Sequence, residues 1–183
     1  FTVATARTPA TVIPLLQSLD LDMPAVLMNG AVLYDIRHRR YIRTNGFTDD
    51  SALRYIERLE KRHLVPFVYR IDDNKLHVFH KTLSNEMQRT FKSQRENTPY
   101  KDFILTTDYR EELLDRPPLF ILVIDLFDRL ETAAAEIART GKCSLFCYAT
   151  LSTPATATSK STHRGSPRQP PHSRSSTRST PGR

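Results

Sequence analysis

The sequence predicts an α/β protein in two parts: a short parallel core unit, then an α+β unit whose antiparallel sheet carries helices on one face. Three observations predict this class. Apolar strand-like runs flank an amphipathic helical stretch over residues 1–35. Helical stretches alternate with hairpin patterns over residues 36–148. Residues 149–183 are mostly Ser, Thr, Pro, Arg and Ala, which predicts a disordered tail.

The first part reads as strand, helix, strand with short connections. Residues 1–4 are predicted to end a buried strand. Thr8 and Pro9 predict a helix start, with a hydroxyl N-cap followed by proline at the first helical position, and Pro14 should kink that helix. Residues 25–28 form a second apolar run. This order of elements is typical of a parallel sheet with covering helices.

The second part is predicted from turn signals and apolar spacing. The polar sequences RHRR and DDNK each separate two apolar runs, which predicts two hairpins. Helices are predicted where apolar residues recur three and four positions apart. The predicted elements are strands over residues 31–35 and 41–44, a helix over 49–61, strands over 67–71 and 76–80, a helix over 84–97, a strand over 119–124, a helix over 126–139 that ends at Gly141, and a strand over 142–148.

Charge, cysteine content and hydropathy exclude several classes of protein. Six of the 27 basic residues lie in residues 149–183, which hold no acid, so residues 1–148 carry 21 basic and 20 acidic residues. A basic nucleic-acid-binding face on this body is therefore not supported. The only cysteines, Cys143 and Cys147, predict no disulfide framework and a reducing, cytoplasmic compartment. The longest apolar run, residues 119–124, is far shorter than the roughly 20 residues that cross a bilayer, so no membrane partner is expected.

Two short motifs, VATAR at residues 3–7 and MNGAVLYD at residues 28–35, resemble those of the haloacid dehalogenase-like hydrolases. The resemblance is to the Cof-type phosphatases, which read hhATGR, a helix, and then a strand ending in NGA before a large α/β cap. It implies a partial Rossmann-like core over residues 1–35, with its first strand missing, and an α/β cap over residues 36–148. Ala6 departs from the pattern, because glycine is usual there.

The resemblance also implies a phosphate site. It makes Thr5 the phosphate-binding hydroxyl and places Arg7, Asn29 and Gly30 along a crevice beneath the cap. A hydroxyl at the carboxyl end of a parallel strand, just before a helix N-terminus, is suited to bind an anionic oxygen. In the alternative interpretation, Thr5 only caps a helix and Asn29-Gly30 only makes a turn. The two motifs taken together favour the family.

The family's chemistry implies groups that lie outside this chain. It uses an aspartate pair on the first strand, as nucleophile and acid/base, a lysine of a third motif, and later acidic residues that hold Mg²⁺. The nucleophile is expected upstream of residue 1. We therefore expect no catalytic residue and no metal in this chain, and Mg²⁺ in an intact parent that hydrolyses small phosphorylated metabolites. The chain alone is predicted to be an inactive fragment.

Two other sets of polar residues are interpreted as structural. Asp125 and Asp128 are three apart rather than the two that the aspartate pair requires, so they are predicted to be the N-cap and a first-turn residue of a helix. His77 and His80 should point to opposite faces of a strand and so should not share a metal. Cys143 and Cys147 are predicted to be small packing residues.

The tail is predicted to be an out-of-frame translation. If one nucleotide was lost just after the Tyr148 codon, residues 149–168 can be decoded as RDIIxxGYGYLEIxPPGVSK, which resembles the family's return from cap to core. The third-motif lysine would then fall at Arg168. The alternative function is a non-catalytic binding protein whose basic Ser/Arg-rich tail binds nucleic acid. The tail's six cations and lack of aromatic residues weigh against that alternative.

Overall fold

A computed structural model of the chain describes residues 2–19, 21–47 and 50–139. All of these residues belong to one compact unit, and the predicted mixed α/β class is confirmed. The elements, in chain order, are α1 (Pro9–Leu16), β1 (Ala25–Leu27), a 3₁₀ turn (Met28–Gly30), β2 (Val32–Asp35), β3 (Arg40–Thr44), α2 (Ser51–Lys61), β4 (Pro66–Asp72), β5 (Lys75–His80), α3 (Glu86–Ser93), β6 (Lys101–Leu105), α4 (Tyr109–Leu113), β7 (Phe120–Val123) and α5 (Phe127–Ala138).

The first sheet is small and has the order β1-β2-β3, with both pairings antiparallel. The strand predicted over residues 1–4 is reduced to a single parallel bridge between Ala4 and Val26. Two backbone hydrogen bonds hold it, from Val26 N–H to the Val3 carbonyl at 2.8 Å and from Thr5 N–H to the Val26 carbonyl at 2.9 Å. The parallel character predicted for this region is therefore present, but only over a few residues. Strand β3 forms the edge of this sheet.

Helix α1 begins where the sequence predicts, although not by the predicted contact. Thr8 is the N-cap and Pro9 the first helical residue, but the Thr8 side chain makes no capping hydrogen bond. Its hydroxyl lies 3.2 Å from the Thr11 hydroxyl instead. Pro14 lies inside the helix, which ends two residues later. The helix is anchored by its buried face, where Ile13 is fully buried.

The second sheet has the order β6-β5-β4-β7. Strands β4 and β5 form the predicted hairpin around Asp73 and Asn74, both of which have positive φ, and β7 pairs antiparallel with β4. Strand β6 pairs in parallel with β5, so the prediction of a wholly antiparallel sheet is wrong at this edge. The sequence analysis identified neither β6 nor the short helix α4. Strand β6 depends on pairing with β5, and α4 spans only five residues after its N-cap Asp108.

Three helices cover one face of the second sheet: α2 and α5, which the sequence predicts, and α4, which it does not. Buried residues of α2, α4 and α5 pack against Val68, Phe79 and Ile121 on that face. Helix α3 lies on the opposite face of this sheet. Its Phe91 ring contacts the Phe67 ring with the centroids 5.2 Å apart, and Phe67, the neighbour of Val68 in β4, points away from the face that Val68 lines. The prediction of helices on one face only is therefore wrong for α3. The buried helical residues that pack on the face lined by Val68, Phe79 and Ile121 include Ile56, Tyr109, Leu113 and Ile137.

Two helices have boundaries that differ from the prediction. Helix α3 starts later because Asn85 is its N-cap, with a side chain that accepts a hydrogen bond from the Gln88 N–H at 2.9 Å. The N-cap of α5 is Leu126, so the prediction of Asp125 as N-cap is wrong by one residue. Asp128 lies in the first turn, as predicted. The predicted helix end at Gly141, the strand over 142–148 with its two cysteines, and the tail fall outside the described residues.

The largest buried cluster joins the two sheets. It includes Leu27 and Val32 of the first sheet and Leu76 and Val78 of the second. Gly46 lies at a close approach between them, since a Cβ there would meet the Pro118 carbonyl oxygen at 2.8 Å. The boundary predicted between residues 35 and 36 falls within the β2–β3 hairpin and stays a prediction. None of the described helices is long and apolar enough to span a bilayer.

Candidate functional site

Thr5 lies at the carboxyl end of the short segment that runs parallel to β1. Its N–H is fixed by the hydrogen bond to Val26, and its hydroxyl oxygen accepts the backbone N–H of Arg7 at 3.3 Å. The side chain is half-buried. Thr8, not Thr5, is the N-cap of α1, so the helix-capping alternative for Thr5 does not hold.

The turn that follows β1 has an unusual backbone. Met28, Asn29 and Gly30 have φ values of +53°, +57° and +91° in succession. Glycine and asparagine tolerate this region, but a buried methionine rarely adopts it. Strained residues of this kind cluster at functional sites. The dipeptide Asn29-Gly30 signals the turn in the sequence, but nothing there signals the conformation of Met28.

Backbone hydrogen bonds bring this turn against the Thr5 segment. The Asn29 N–H donates to the Thr5 carbonyl at 3.4 Å, and the Met28 N–H donates to the Arg7 carbonyl at 3.1 Å. Arg7, Asn29 and Gly30 are all exposed. The structure thus brings together the four residues that the resemblance assigns to a crevice. Their role in binding phosphate stays a prediction.

The charge around this crevice favours an anion. Arg7 supplies a cationic side chain, and helix α1 begins only four residues after Thr5, with no acidic side chain in its first turn. A helix N-terminus carries partial positive charge, which stabilises nearby anions. Thr5, Arg7 and Asn29 offer hydrogen-bond donors, but none of them is a carboxylate or an imidazole. The arrangement can therefore hold an anion, whereas a nucleophile or base would come from elsewhere.

The described residues offer no ligand set for a metal. They contain no group of three or more His, Cys, Asp or Glu side chains that could hold an ion. His77 and His80 point to opposite faces, as predicted: His77 lies 3.9 Å from an Asp102 carboxylate oxygen, and His80 packs against Phe67 with the ring centroids 5.7 Å apart. The described acids therefore do not fit the Mg²⁺ that the family resemblance implies.

Asp125 is occupied by structural contacts. Its carboxylate accepts hydrogen bonds from the Leu126 N–H at 2.8 Å, from Arg129 at 2.8 Å and from the Asn85 amide at 3.2 Å. These donors tie the start of α5 to α3 and leave the carboxylate satisfied. The interpretation of Asp125 as a structural residue rather than a catalytic one therefore agrees with its contacts.

Comparison with family profiles and with curated protein sequences gives one match. The profile of the haloacid dehalogenase-like hydrolase family matches residues 1–161. No curated protein sequence matches the chain significantly.

Several solved structures share the fold. A haloacid dehalogenase-like hydrolase from Bacteroides thetaiotaomicron superposes with a TM-score of 0.58 at 16% identity, covering 77% of this chain and 51% of that one. A sugar phosphatase of haloacid dehalogenase subclass IIB gives 0.56 at 15% identity, covering 81% and 52%. A haloacid dehalogenase-like hydrolase from B. subtilis gives 0.53 at 18% identity, covering 80% and 56%. The chain thus spans about half the length of these structures.

Proposed function

Because this chain belongs to the haloacid dehalogenase-like hydrolase family, we propose that it supplies the phosphate-binding threonine and the cap of a Mg²⁺-dependent phosphatase. Its substrates would be small phosphorylated metabolites, such as sugar phosphates or phosphorylated cofactors. One structural neighbour is described as a sugar phosphatase, which supports that substrate class. The observation that carries the proposal is the contact between the Thr5 segment and the positive-φ turn Met28–Gly30.

The Thr5 hydroxyl is the group that would hold the phosphate. Because its oxygen already accepts the Arg7 N–H, its own hydrogen remains available to donate to a phosphate oxygen. Arg7 and the Asn29 amide are exposed beside it and would contact further oxygens. Hydrogen bonds to charged acceptors of this kind are about twice as strong as neutral ones.

The covalent step would need a carboxylate from outside this chain. Four residues precede Thr5 and none of them is acidic. In the proposed reaction, an upstream aspartate attacks phosphorus and displaces the alcohol, and water then hydrolyses the aspartyl phosphate. Mg²⁺, held by acids outside the described residues, would neutralise phosphate charge when bound. The cap would close over the substrate and exclude bulk water.

We therefore predict that the chain alone is inactive. With Mg²⁺ and 4-nitrophenyl phosphate, the purified chain should release no product above the buffer rate, because catalytic groups that act as a unit fail together. The measurement is a continuous absorbance assay on freshly purified protein. Turnover that persists at constant specific activity through a second purification would contradict the proposal.

A second test addresses the phosphate site itself. In an NMR titration with inorganic phosphate, the amide resonances of Thr5, Arg7 and Asn29 should shift together. The Thr5→Val variant should weaken this binding about tenfold or more, because one charge-assisted hydrogen bond is lost. Thr11→Val is the matched control, since the Thr11 hydroxyl contacts Thr8. Equal shifts in both variants would remove Thr5 from the site.

A further inference from the structure

Met28 has the least favourable backbone conformation in the turn that borders the Thr5 crevice. Its φ is +53°, in the left-handed region that residues with a Cβ rarely adopt. Asn29 and Gly30, which follow it, belong to the residue types that tolerate positive φ. Met28 is therefore the residue of this turn whose conformation must be maintained by contacts with the rest of the protein.

The side chain of Met28 supplies those contacts. Met28 is 3% exposed and belongs to the buried cluster that joins the two sheets. The members of that cluster from the second sheet include Leu76 and Val78. Burying a methionine side chain is worth more than the backbone cost of one left-handed residue. The core can therefore keep the turn in a conformation that the turn would not adopt by itself.

Hydrogen bonds connect the backbone of Met28 to the Thr5 hydroxyl. The Met28 N–H donates to the Arg7 carbonyl at 3.1 Å, and the Arg7 N–H donates to the Thr5 hydroxyl oxygen at 3.3 Å. The next residue, Asn29, donates its N–H to the Thr5 carbonyl at 3.4 Å. Because the Arg7 N–H occupies one side of the hydroxyl oxygen, it restricts the directions in which the hydroxyl hydrogen can point.

We propose that Met28 is a positioning residue, whose buried side chain holds the turn in its left-handed conformation and thereby orients the Thr5 hydroxyl toward a bound phosphate. This inference rests on the proposed function of the Thr5 crevice. If the turn relaxed to negative φ, the Met28 N–H would lose the Arg7 carbonyl, and the Thr5 hydroxyl would no longer be held. Phosphate would then bind only the fraction of molecules in which the turn is formed, and its apparent affinity would fall in proportion to that fraction.

A role in packing alone would give a different order of effects at Met28. If only buried surface mattered, phosphate binding would weaken in the order of the surface lost, with leucine affected least, then valine, alanine and glycine. Positioning adds the backbone cost, because glycine adopts positive φ freely, alanine does not, and β-branched valine adopts it least readily. The rank of the glycine variant against the alanine and valine variants therefore separates the two roles.

The test is the dissociation constant of inorganic phosphate for each variant. It is measured from the amide shifts of Thr5 and Arg7, at constant ionic strength and at a temperature where circular dichroism shows each variant to be folded. Met28→Leu keeps an apolar side chain of similar size and should bind phosphate within about twofold of the wild type. Met28→Ala should raise the dissociation constant about tenfold, because the turn relaxes in most molecules. Met28→Gly loses more buried surface but should raise it only about threefold.

Ile36→Ala is the matched control. Ile36 is 6% exposed, belongs to the same buried cluster and follows the end of β2 that lies away from the turn. The variant should lower stability but leave the dissociation constant of phosphate unchanged. If Met28→Ala does not fold, Met28→Val replaces it and should also bind phosphate more weakly than Met28→Gly.

The outcomes separate this inference from the proposed function. Equal dissociation constants in all Met28 variants, or weaker binding in Met28→Gly than in Met28→Ala and Met28→Val, would overturn the inference and leave the proposed function intact. An equal loss of affinity in Ile36→Ala and Met28→Ala would assign the effect to general packing and would also overturn it. If phosphate shifts no Thr5 resonance in the wild type, the proposed function falls and this inference falls with it.

Discussion

The Thr5 crevice and the β4–β5 hairpin are built in opposite ways. The crevice rests on a few backbone hydrogen bonds between residues 3–7 and 26–29, and three consecutive residues there have positive φ. The hairpin has five paired positions and ordinary strand geometry, and Phe67, Val68, Leu76 and Val78 in it are fully buried. The first region presents polar groups to solvent at a conformational cost, whereas the second removes apolar surface from water.

This difference indicates where the stability of the chain originates. Burial of apolar side chains is the main favourable contribution to folding, and the hairpin supplies much of it. The crevice adds few buried contacts of its own, and its strained turn persists because the surrounding core fixes it. We therefore expect the crevice to depend on the second sheet for its shape. Substitutions in the two regions should differ in how much they lower the free energy of unfolding.

The largest effect is expected at Phe67. The Phe67→Ala variant should lower the free energy of unfolding by about 3–5 kcal/mol, because a fully buried ring is removed and a cavity remains. The ring contacts those of His80, Phe91 and Phe103, so all three lose packing. Urea denaturation measures the change. Leu114→Ala, at a position 76% exposed, is the control and should change stability by less than about 0.5 kcal/mol.

The second-largest difference is expected in the rates of amide hydrogen exchange in the two regions. Hydrogen-bonded amides of β4 and β5 should exchange at least about a hundredfold more slowly than the bonded amides of Thr5 and Val26, because few buried contacts resist opening around the crevice. The measurement is amide exchange followed by NMR or mass spectrometry. Similar protection in both regions would show that they open together and would contradict the proposed dependence.

A smaller effect on stability is expected at acid pH through the protonation of His80. The side chain is 4% exposed and its Nε2 has no hydrogen-bond partner, and burial holds its pKa below the usual value of 6.5. The unfolded chain therefore binds a proton first as pH falls, so the free energy of unfolding should decrease as the pH falls below about 6.5.

The neighbours of His80 set the size of this effect. The charge of Lys92 lowers its pKa, whereas the Lys81 carbonyl and the charge of Glu96 raise it. A His80→Leu variant should show a flatter dependence of unfolding free energy on pH over this window. An identical slope in the variant and the wild type would assign the acid sensitivity to other groups.

The smallest change is expected at Gly30. Its φ is +91°, and an added methyl group there would have nothing within 4 Å, so Gly30→Ala should cost about 1 kcal/mol through backbone strain alone. Gly46→Ala is the contrasting variant, because there the new methyl meets the Pro118 carbonyl at 2.8 Å and overpacking should cost about 1–3 kcal/mol. Thermal unfolding of both variants measures the difference. A larger loss of stability in Gly30→Ala than in Gly46→Ala would contradict the assignment of backbone strain alone to Gly30 and of overpacking to Gly46.

Local sequence signals account for much of the fold. The hairpin β4–β5 follows from two apolar runs around DDNK, a pattern that specifies strands and turn together. Helix α4 also has a local signal, although a short one, since Asp108 caps it and Glu111 and Glu112 lie in its first turn. Strand β6 has only a short apolar run, residues 103–105, after a charged pair, and nothing in that run indicates its parallel pairing with β5.

The site is predictable only in part. The family motifs indicate that Thr5 and Asn29 belong together, but their separation along the chain does not imply contact. Contact arises from the parallel bridge between Ala4 and Val26 and from the strained turn. The burial of Lys101, which is 2% exposed at the start of β6, is also not predictable, because a lysine there is ordinarily exposed and its position follows from the parallel register with β5. Both features depend on pairing between segments that are distant in the sequence, and the spacing of residues along the chain does not reveal that pairing.

The edge strand β3 has a consequence for solubility. No described strand pairs with its outer side, where the Tyr41 N–H donates to the Asn74 side chain at 3.0 Å, and Ile42 is 47% exposed. Arg40 and Arg43 flank that isoleucine and are exposed. Two molecules that approached along this border would bring like charges together, so the arginines should keep concentrated protein from polymerising through its sheets.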